Sequence, residues 1–297
     1  MTAFLFPGQG SQTPGMGADF HHSSAQARDI LDRAAAMSDA GWLDIMFQGT
    51  NAEVADTRMA QPALLAVEIA IAAHLKSNGL TPSLCAGHSL GEFSALVAAG
   101  ALSFEQAFRL VQERARVMSE DVPQGAMVAI IGFDPATIGS VLPEGAQVAN
   151  YNGPGQTIIS GTVPAIEAAE QALKEAGAKR MVRLNVSGPF HSECMRRARD
   201  TFREILKKVD FQAPEIRFIS SVSGTEETEP ERIRELLGEQ LCAPVRWTEV
   251  MAAIGPIEAL EVGPGRVLQG LAKRTQNAPL VTPVGTCEAA EALGETA

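Results

Sequence analysis

The chain has 297 residues, of which 45% are hydrophobic and 20% charged, enough apolar material for one large domain or one domain carrying a smaller insertion. Its formal net charge of -11 argues against nucleic acid as the main partner, and no long apolar run free of charges or turn signals stands out, so no membrane span is expected. Residues 1–12, MTAFLFPGQGSQ, lack a basic start and a long apolar stretch. They read as a first buried strand and a turn rather than a secretory signal, which makes the cytoplasm the expected location.

Residues 61–79, QPALLAVEIAIAAHLKSNG, predict a long helix closed by Gly79, with Asn78 beside the cap. SLCAG at 83–87 is a short buried strand and GEFSALVAAG at 91–100 a helix; residues 103–120 form another helix, with Ser103 as N-cap. Strands alternating with helices imply a parallel sheet. From residue 125 the pattern changes. AMVAIIG is a strand, and Asp134 caps a short helix with Pro135 in its first position. AQVANYN and QTIISG are strands joined by a Gly-Pro-Gly turn, followed by the helix VPAIEAAEQALKEAG and the strand KRMVRLNV. This β-α-β-β-α-β order is the ferredoxin-like arrangement. The expected organisation is α/β: a large subdomain from residues 1–124 and 189–297, and a small ferredoxin-like subdomain, 125–188, inserted into it. The tail at 287–297 reads as peripheral.

Cys85, Cys194, Cys242 and Cys287 have no CxxC spacing and read as free thiols, with Cys85 in the core. No HExxH or Cys/His cluster occurs, so no metal site is expected.

The first chemical signal is Gly87-His88-Ser89-Leu90-Gly91, a G-x-S-x-G between a strand and a helix. A glycine-serine turn that merely caps a helix would look similar; the strand–turn–helix context favours a nucleophile elbow with Ser89 as nucleophile. Such a serine sits at a helix N-terminus, where free N–H groups stabilise negative charge, so the N–H of Leu90 is a candidate oxyanion donor. A serine hydroxyl needs a base. His88 is better read as structural, because neighbouring residues on a sharp turn point apart. His21 and His22 lie in a polar stretch and look solvated, and His74 reads as packing or surface. His191, in NVSGPFHSECM, follows a predicted strand and a Ser-Gly-Pro loop and is the base by elimination, the alternative being a loop histidine near a helix start. No acid stands out to orient it, and a backbone carbonyl could do so.

Phe104, Ala107, Phe108, Val111, Ala115 and Met118 share one helix face, and Arg114 falls on that face as well. A buried arginine must be paired. Its partner is either a carboxylate on a substrate, held bidentately, or an internal Asp or Glu, unless the long stem snorkels.

Taken together, FPGQGSQ at 6–12, QPAL at 61–64, GHSLGE at 87–92, ERARVM at 113–118, NYNGPGQ at 150–156, PFHS at 189–192, APVRW at 243–247 and EVGPGRVL at 261–268 run in family order over nearly the whole chain. The chain resembles the malonyl-CoA:acyl carrier protein transacylases, acyltransferases of bacterial fatty acid and polyketide synthesis. The resemblance implies an α/β-hydrolase-like large subdomain beside the ferredoxin-like one. It implies Ser89 as the acylated nucleophile, His191 as its base, and Arg114 as the grip on the malonyl carboxylate. It further implies Gln9 as the second oxyanion contributor beside Leu90, and Gln240 as the residue whose backbone carbonyl orients the histidine. Phe190, before the histidine, resembles the malonyl-selective type.

The implied reaction moves malonyl from its coenzyme A thioester through malonyl-Ser89 to the phosphopantetheine thiol of acyl carrier protein, with no metal or organic cofactor. The competing readings are a trans-acting acyl-thioester hydrolase on the same fold and transfer of a different, alkylmalonyl extender unit. Residues 179–208 hold nine cations (Lys179, Arg180, Arg183, Arg196, Arg197, Arg199, Arg203, Lys207, Lys208) against Glu193, Asp200 and Glu204, a local balance of +6. This segment brackets His191 and is either a surface that steers carrier protein or CoA phosphates, or an ordinary solvated helix face.

Overall fold

A computed structural model describes residues 1–120, 122–186 and 188–294; Ser187 of the Ser-Gly-Pro loop and the last three residues of the tail lie outside the described residues. Nine strands occur among them: β1 (Thr2–Phe6), β2 (Leu84–Gly87), β3 (Gly125–Ile131), β4 (Ala146–Gly153), β5 (Gln156–Thr162), β6 (Arg180–Arg183), β7 (Arg217–Ile219), β8 (Glu258–Val262) and β9 (Leu280–Val284). They form two sheets, a five-stranded one in the order β7-β2-β1-β8-β9 and a four-stranded one in the order β4-β5-β3-β6.

All pairings in the first sheet are parallel. Its central strands are buried on both faces, which is why AFLF and LCAG read as unbroken apolar runs. Successive side chains alternate between two cores. Phe4, Phe6 and Cys85 join the core around the helix Thr57–Ser77. Ala3, Leu5, Leu84 and Ala86 meet the helices Trp247–Ile254 and Val267–Ala272 on the other side. Phe6 lies opposite Gly87 in register, so the turns following β1 and β2 emerge side by side at one sheet edge.

The second sheet is antiparallel throughout and carries the helices Pro135–Val141 and Val163–Glu175. Val128, Ile130 and Ile159 pack under those helices. The opposite face, with Met127, Ala129, Ala149 and Ile158, joins the main core. Strand β4 is stitched to the large sheet's side: the Tyr151 N–H donates to the Val245 carbonyl at 2.8 Å, and the Val245 N–H to the Ala149 carbonyl at 2.8 Å.

Four helices, Ala18–Ser23, Ala25–Ala36, Trp42–Gln48 and Asn51–Ala55, fill a region to which the sequence pattern assigned none. The long helix starts at Thr57, not at Gln61, with the Asp56 side chain capping the Arg58 N–H. Pro62 sits one turn further in, where its missing N–H leaves only the Arg58 carbonyl without its helical donor. By length and composition this helix could cross a membrane, but it is interrupted by Glu68 and 83% of its apolar window is buried inside the protein. It is a core helix. Strand β6 ends at Arg183 rather than at residue 186; after it, the Leu184 N–H still donates to the Met127 carbonyl at 2.9 Å before the chain turns toward the site.

Candidate active site

Among the described residues only Ser89, His191 and Asn277 are non-glycine residues with positive φ, at 53°, 58° and 55°. A side chain in this region is strained, and such strain gathers at functional sites. Two of the three face each other: Ser89 Oγ lies 2.8 Å from His191 Nε2.

The serine turn needs its glycines. A Cβ on Gly87 would lie 1.9 Å from the Gly91 carbonyl carbon, and one on Gly91 would lie 2.1 Å from the Phe6 carbonyl oxygen. Helix Gly91–Ala98 can therefore begin directly above β1, with Ser89 lifted to the sheet edge just before Leu90. The first turn presses against the second, since a Cβ on Gly8 would meet the His88 carbonyl oxygen at 2.6 Å. Among the described residues, neither the Leu90 nor the Gln9 N–H has a backbone partner. The Gln9 side chain is engaged elsewhere: its Nε2 donates to Thr57 Oγ1 at 3.1 Å, and its Oε1 accepts from Gln61 Nε2 at 3.3 Å. What Gln9 can offer an oxyanion is thus its main-chain N–H.

His191 is 5% exposed. Its Nδ1–H donates to the Gln240 carbonyl at 2.8 Å, with the Ala243 carbonyl at 3.1 Å. Two carbonyls in place of an acid fix the tautomer that leaves Nε2 free to accept from Ser89. Burial, aided by the positive charge of Arg114, pushes the imidazole pKa down to about 3. His88 points away, pairing with Asn152 Oδ1 at 2.9 Å and standing edge-on to Trp247.

Arg114 is 1% exposed, and the internal acid considered for it is not a direct partner. Nη1 donates to Gln61 Oε1 at 2.7 Å, and Nη2 to Gln240 Oε1 at 2.9 Å and to Ser89 Oγ at 3.2 Å. The guanidinium sits over the Phe93 ring, and Nε has no hydrogen-bond partner among the described residues. Burial lowers its pKa to about 10, against the pull of the Glu92 charge. A cation held by neutral amides and aimed at the serine is ready for an incoming carboxylate.

One cavity brings Gln9, Ser89, Arg114, Phe190 and His191 together, with Met118, Met127, Ile158, Leu184 and Val186 as apolar lining from both sheets' sides. Leu90 and Gln240 lie behind it, fully buried. Three residues that sequence reasoning passed over belong to this arrangement. Gln61 and Glu92 stood inside quoted motifs, but nothing in their spacing announced a contact with Arg114 or Gln240. Gln147 braces the strained histidine, accepting from the Glu193 N–H at 2.9 Å and donating to the Cys242 carbonyl at 3.2 Å.

The basic segment around His191 is less free than its sequence balance suggests. Arg196 pairs with Glu193, Arg199 with Asp200 and Lys207 with Glu204. Arg183 and Arg203 are paired by Glu170 and Glu239, which lie outside the 179–208 window and so escaped its balance.

The sequence profile of the acyl transferase domain matches residues 3–293. The malonyl CoA-acyl carrier protein transacylase of Bacillus subtilis (strain 168) is 45% identical over 283 residues, spanning 92% of this chain and 89% of that protein. The protein of the same name from Escherichia coli (strain K12) is 43% identical over 283 residues, spanning 92% of each. Among solved structures, an acyl carrier protein S-malonyltransferase from Vibrio cholerae superposes with a TM-score of 0.94 at 39% identity, covering 98% of this chain and 99% of that one. A malonyl-transacylase in complex with its type II PKS acyl-carrier protein gives a TM-score of 0.94 at 39% identity, over 100% and 99%.

Proposed function

The chain belongs to the acyl transferase family, and from that premise we propose that it transfers the malonyl group from malonyl-CoA to the phosphopantetheine thiol of acyl carrier protein. The observation that carries the reading is Arg114, a buried cation 3.2 Å from Ser89 Oγ with only neutral groups as direct partners. A malonyl ester on Ser89 places its free carboxylate three bonds from Oγ, within reach of that guanidinium.

In this mechanism His191 Nε2 takes the Ser89 proton as Oγ attacks the thioester carbonyl. The Leu90 and Gln9 N–H groups hold the tetrahedral oxyanion, whose charge the start of helix Gly91–Ala98 also stabilises. Protonated His191 gives its proton to the departing coenzyme A thiolate, leaving malonyl-Ser89. The carrier-protein thiol then repeats the attack with His191 again as base, and Ser89 leaves reprotonated. These side chains suffice without a bound metal or organic cofactor. Phe190, 5% exposed against the cavity, narrows the space beside the acyl group and favours unbranched malonyl over alkylmalonyl.

Incubating the protein with radiolabelled malonyl-CoA and acyl carrier protein tests the proposal. Label is expected on the carrier protein. Label released as free malonate would instead support the hydrolase.

The depressed His191 pKa sets a second expectation. The base is neutral in the free enzyme until pH approaches about 3. The pH profile of kcat/KM, which reports the free enzyme, should stay flat from roughly pH 8 down to 5. An acidic limb at the ordinary histidine pKa of 6.5 would contradict the buried geometry. The same shift is a stability statement. Between about 3 and 6.5 the unfolded chain binds more protons at this site than the native one. Its contribution is therefore complete above pH 6.5 and lost as pH falls toward 3.

A further inference from the structure

We infer that Glu92 is a positioning residue, which acts through the side-chain amide of Gln240 to couple the base His191 to the carboxylate clamp Arg114. The inference rests on the acyl-transfer reading and deepens it. Its basis is a chain of fully buried polar contacts. Gln240 touches three parts of the site at once. Its backbone carbonyl accepts from His191 Nδ1 at 2.8 Å, its Oε1 accepts from Arg114 Nη2 at 2.9 Å, and its Nε2 donates to the Ser89 carbonyl at 3.0 Å. Nε2 also donates to Glu92 Oε2 at 2.6 Å. Glu92 is held in turn by the Ser221 N–H at 3.1 Å and the Ser221 hydroxyl at 2.9 Å. Gln240, Glu92, Arg114 and Ser221 are each at most 1% exposed.

The amide orientation of Gln240 follows from its neighbours. Arg114 can only donate and the Ser89 carbonyl can only accept, so oxygen must face the arginine and nitrogen the serine turn. The amide dipole then lies between a cation and a carboxylate, with its negative end toward Arg114 and its positive end toward Glu92. Burial pushes the Glu92 carboxyl up, while hydrogen bonds from Ser221 and Gln240 pull it back down; each of its oxygens faces an obligate N–H donor, the Ser221 main chain at one and the Gln240 amide at the other, the donor set of an ionised acid.

This arrangement answers a problem that the clamp poses. A buried arginine needs compensating negative charge. A carboxylate placed directly on it would occupy the position the substrate's carboxylate must take. Setting Glu92 one amide away compensates the charge and leaves the guanidinium open toward Ser89. Because the amide that transmits the charge belongs to the residue whose carbonyl orients His191, clamp and base share one anchor.

The test compares wild type, Glu92→Gln, Gln240→Met and the double variant, with malonyl-CoA and acetyl-CoA as donors to acyl carrier protein. Glu92→Gln keeps the shape, but sets an N–H₂ against a donor at either Ser221 or Gln240. Gln240→Met keeps the backbone carbonyl and removes the amide. Thermal unfolding and titration of active sites with malonyl-CoA correct every rate for folded, acylatable enzyme. In Glu92→Gln, kcat for acetyl transfer is expected to fall by about tenfold through the base, and kcat/KM for malonyl by a further tenfold or so through the clamp. The double variant should be no worse than Gln240→Met alone, since both act through one amide.

Equal losses for the two donors, an unchanged acetyl rate, or additive effects in the double variant would each overturn the coupling. If Glu92→Gln does not fold, Gln240→Met decides alone: the same joint loss is expected, and wild-type malonyl-over-acetyl selectivity would overturn the inference. Wild-type protein that transfers no malonyl group would sink the acyl-transfer reading itself, and the inference with it.

Discussion

Replacing Ser89 with alanine is expected to abolish the covalent malonyl-enzyme and to lower malonyl transfer by on the order of a millionfold, the scale seen when the nucleophile is deleted from a serine–histidine unit. The change removes Oγ and with it two contacts, to His191 Nε2 at 2.8 Å and to Arg114 Nη2 at 3.2 Å. What remains is the oxyanion pocket and the clamp. These can still bind malonyl-CoA, but no atom is left to accept the acyl group. Intact-protein mass spectrometry after brief exposure to malonyl-CoA reads the adduct directly, and an adduct that survives in Ser89→Ala would place the nucleophile elsewhere. The loss should not come from unfolding. Alanine accepts the positive φ of position 89 about as poorly as serine does, so the turn's strain is unchanged and the melting temperature should stay close to that of wild type.

That Ser89 and His191 could be read from the chain at all has a local cause. The glycines of GHSLG are required by contacts of about van der Waals radius or less, so the turn writes itself into the sequence. The burial of Arg114 was likewise visible, because helical periodicity places it among Phe108, Val111 and Ala115. Its partners were not visible. Gln61 and Gln240 lie 53 and 126 residues away, and only the fold brings them to one point. The same limit explains why helical periodicity alone left the partner of Arg114 open. It also explains the overstated basic segment, whose balancing Glu170 and Glu239 come from other helices. Long helix Thr57–Ser77 shows a different failure. The pattern starts it at Gln61, whereas the helix runs from Thr57 straight through Pro62, where burial on nearly every side outweighs the loss of one hydrogen bond.

Removing the guanidinium separates the transferase reading from a general serine hydrolase more sharply than any change at the nucleophile. Arg114→Ala is expected to lower kcat/KM for malonyl-CoA by about 10²- to 10³-fold, equivalent to roughly 3–4 kcal/mol and inside the range of about 2–5 kcal/mol lost when one partner of a buried charge pair is deleted. Acetyl-CoA has no carboxylate to lose, so its transfer should be spared or improved as the site becomes less cationic. The selectivity ratio is therefore the measurement, taken from parallel rates with both thioesters. A cost in stability comes with the change, because the Oε1 atoms of Gln61 and Gln240 lose their donor in a closed interior. That cost lowers the melting temperature but applies equally to both substrates, so it cancels in the ratio. Arg114→Lys discriminates further. Lysine keeps the charge but not the fork that reaches Gln61 with one nitrogen and Gln240 and Ser89 with the other. It should recover only part of the malonyl preference. Equal losses for malonyl and acetyl in Arg114→Ala would mean that the arginine holds the serine turn together rather than the substrate. The buried cation would then be a structural tie, and the case for a carboxylated acyl group would lose its main support.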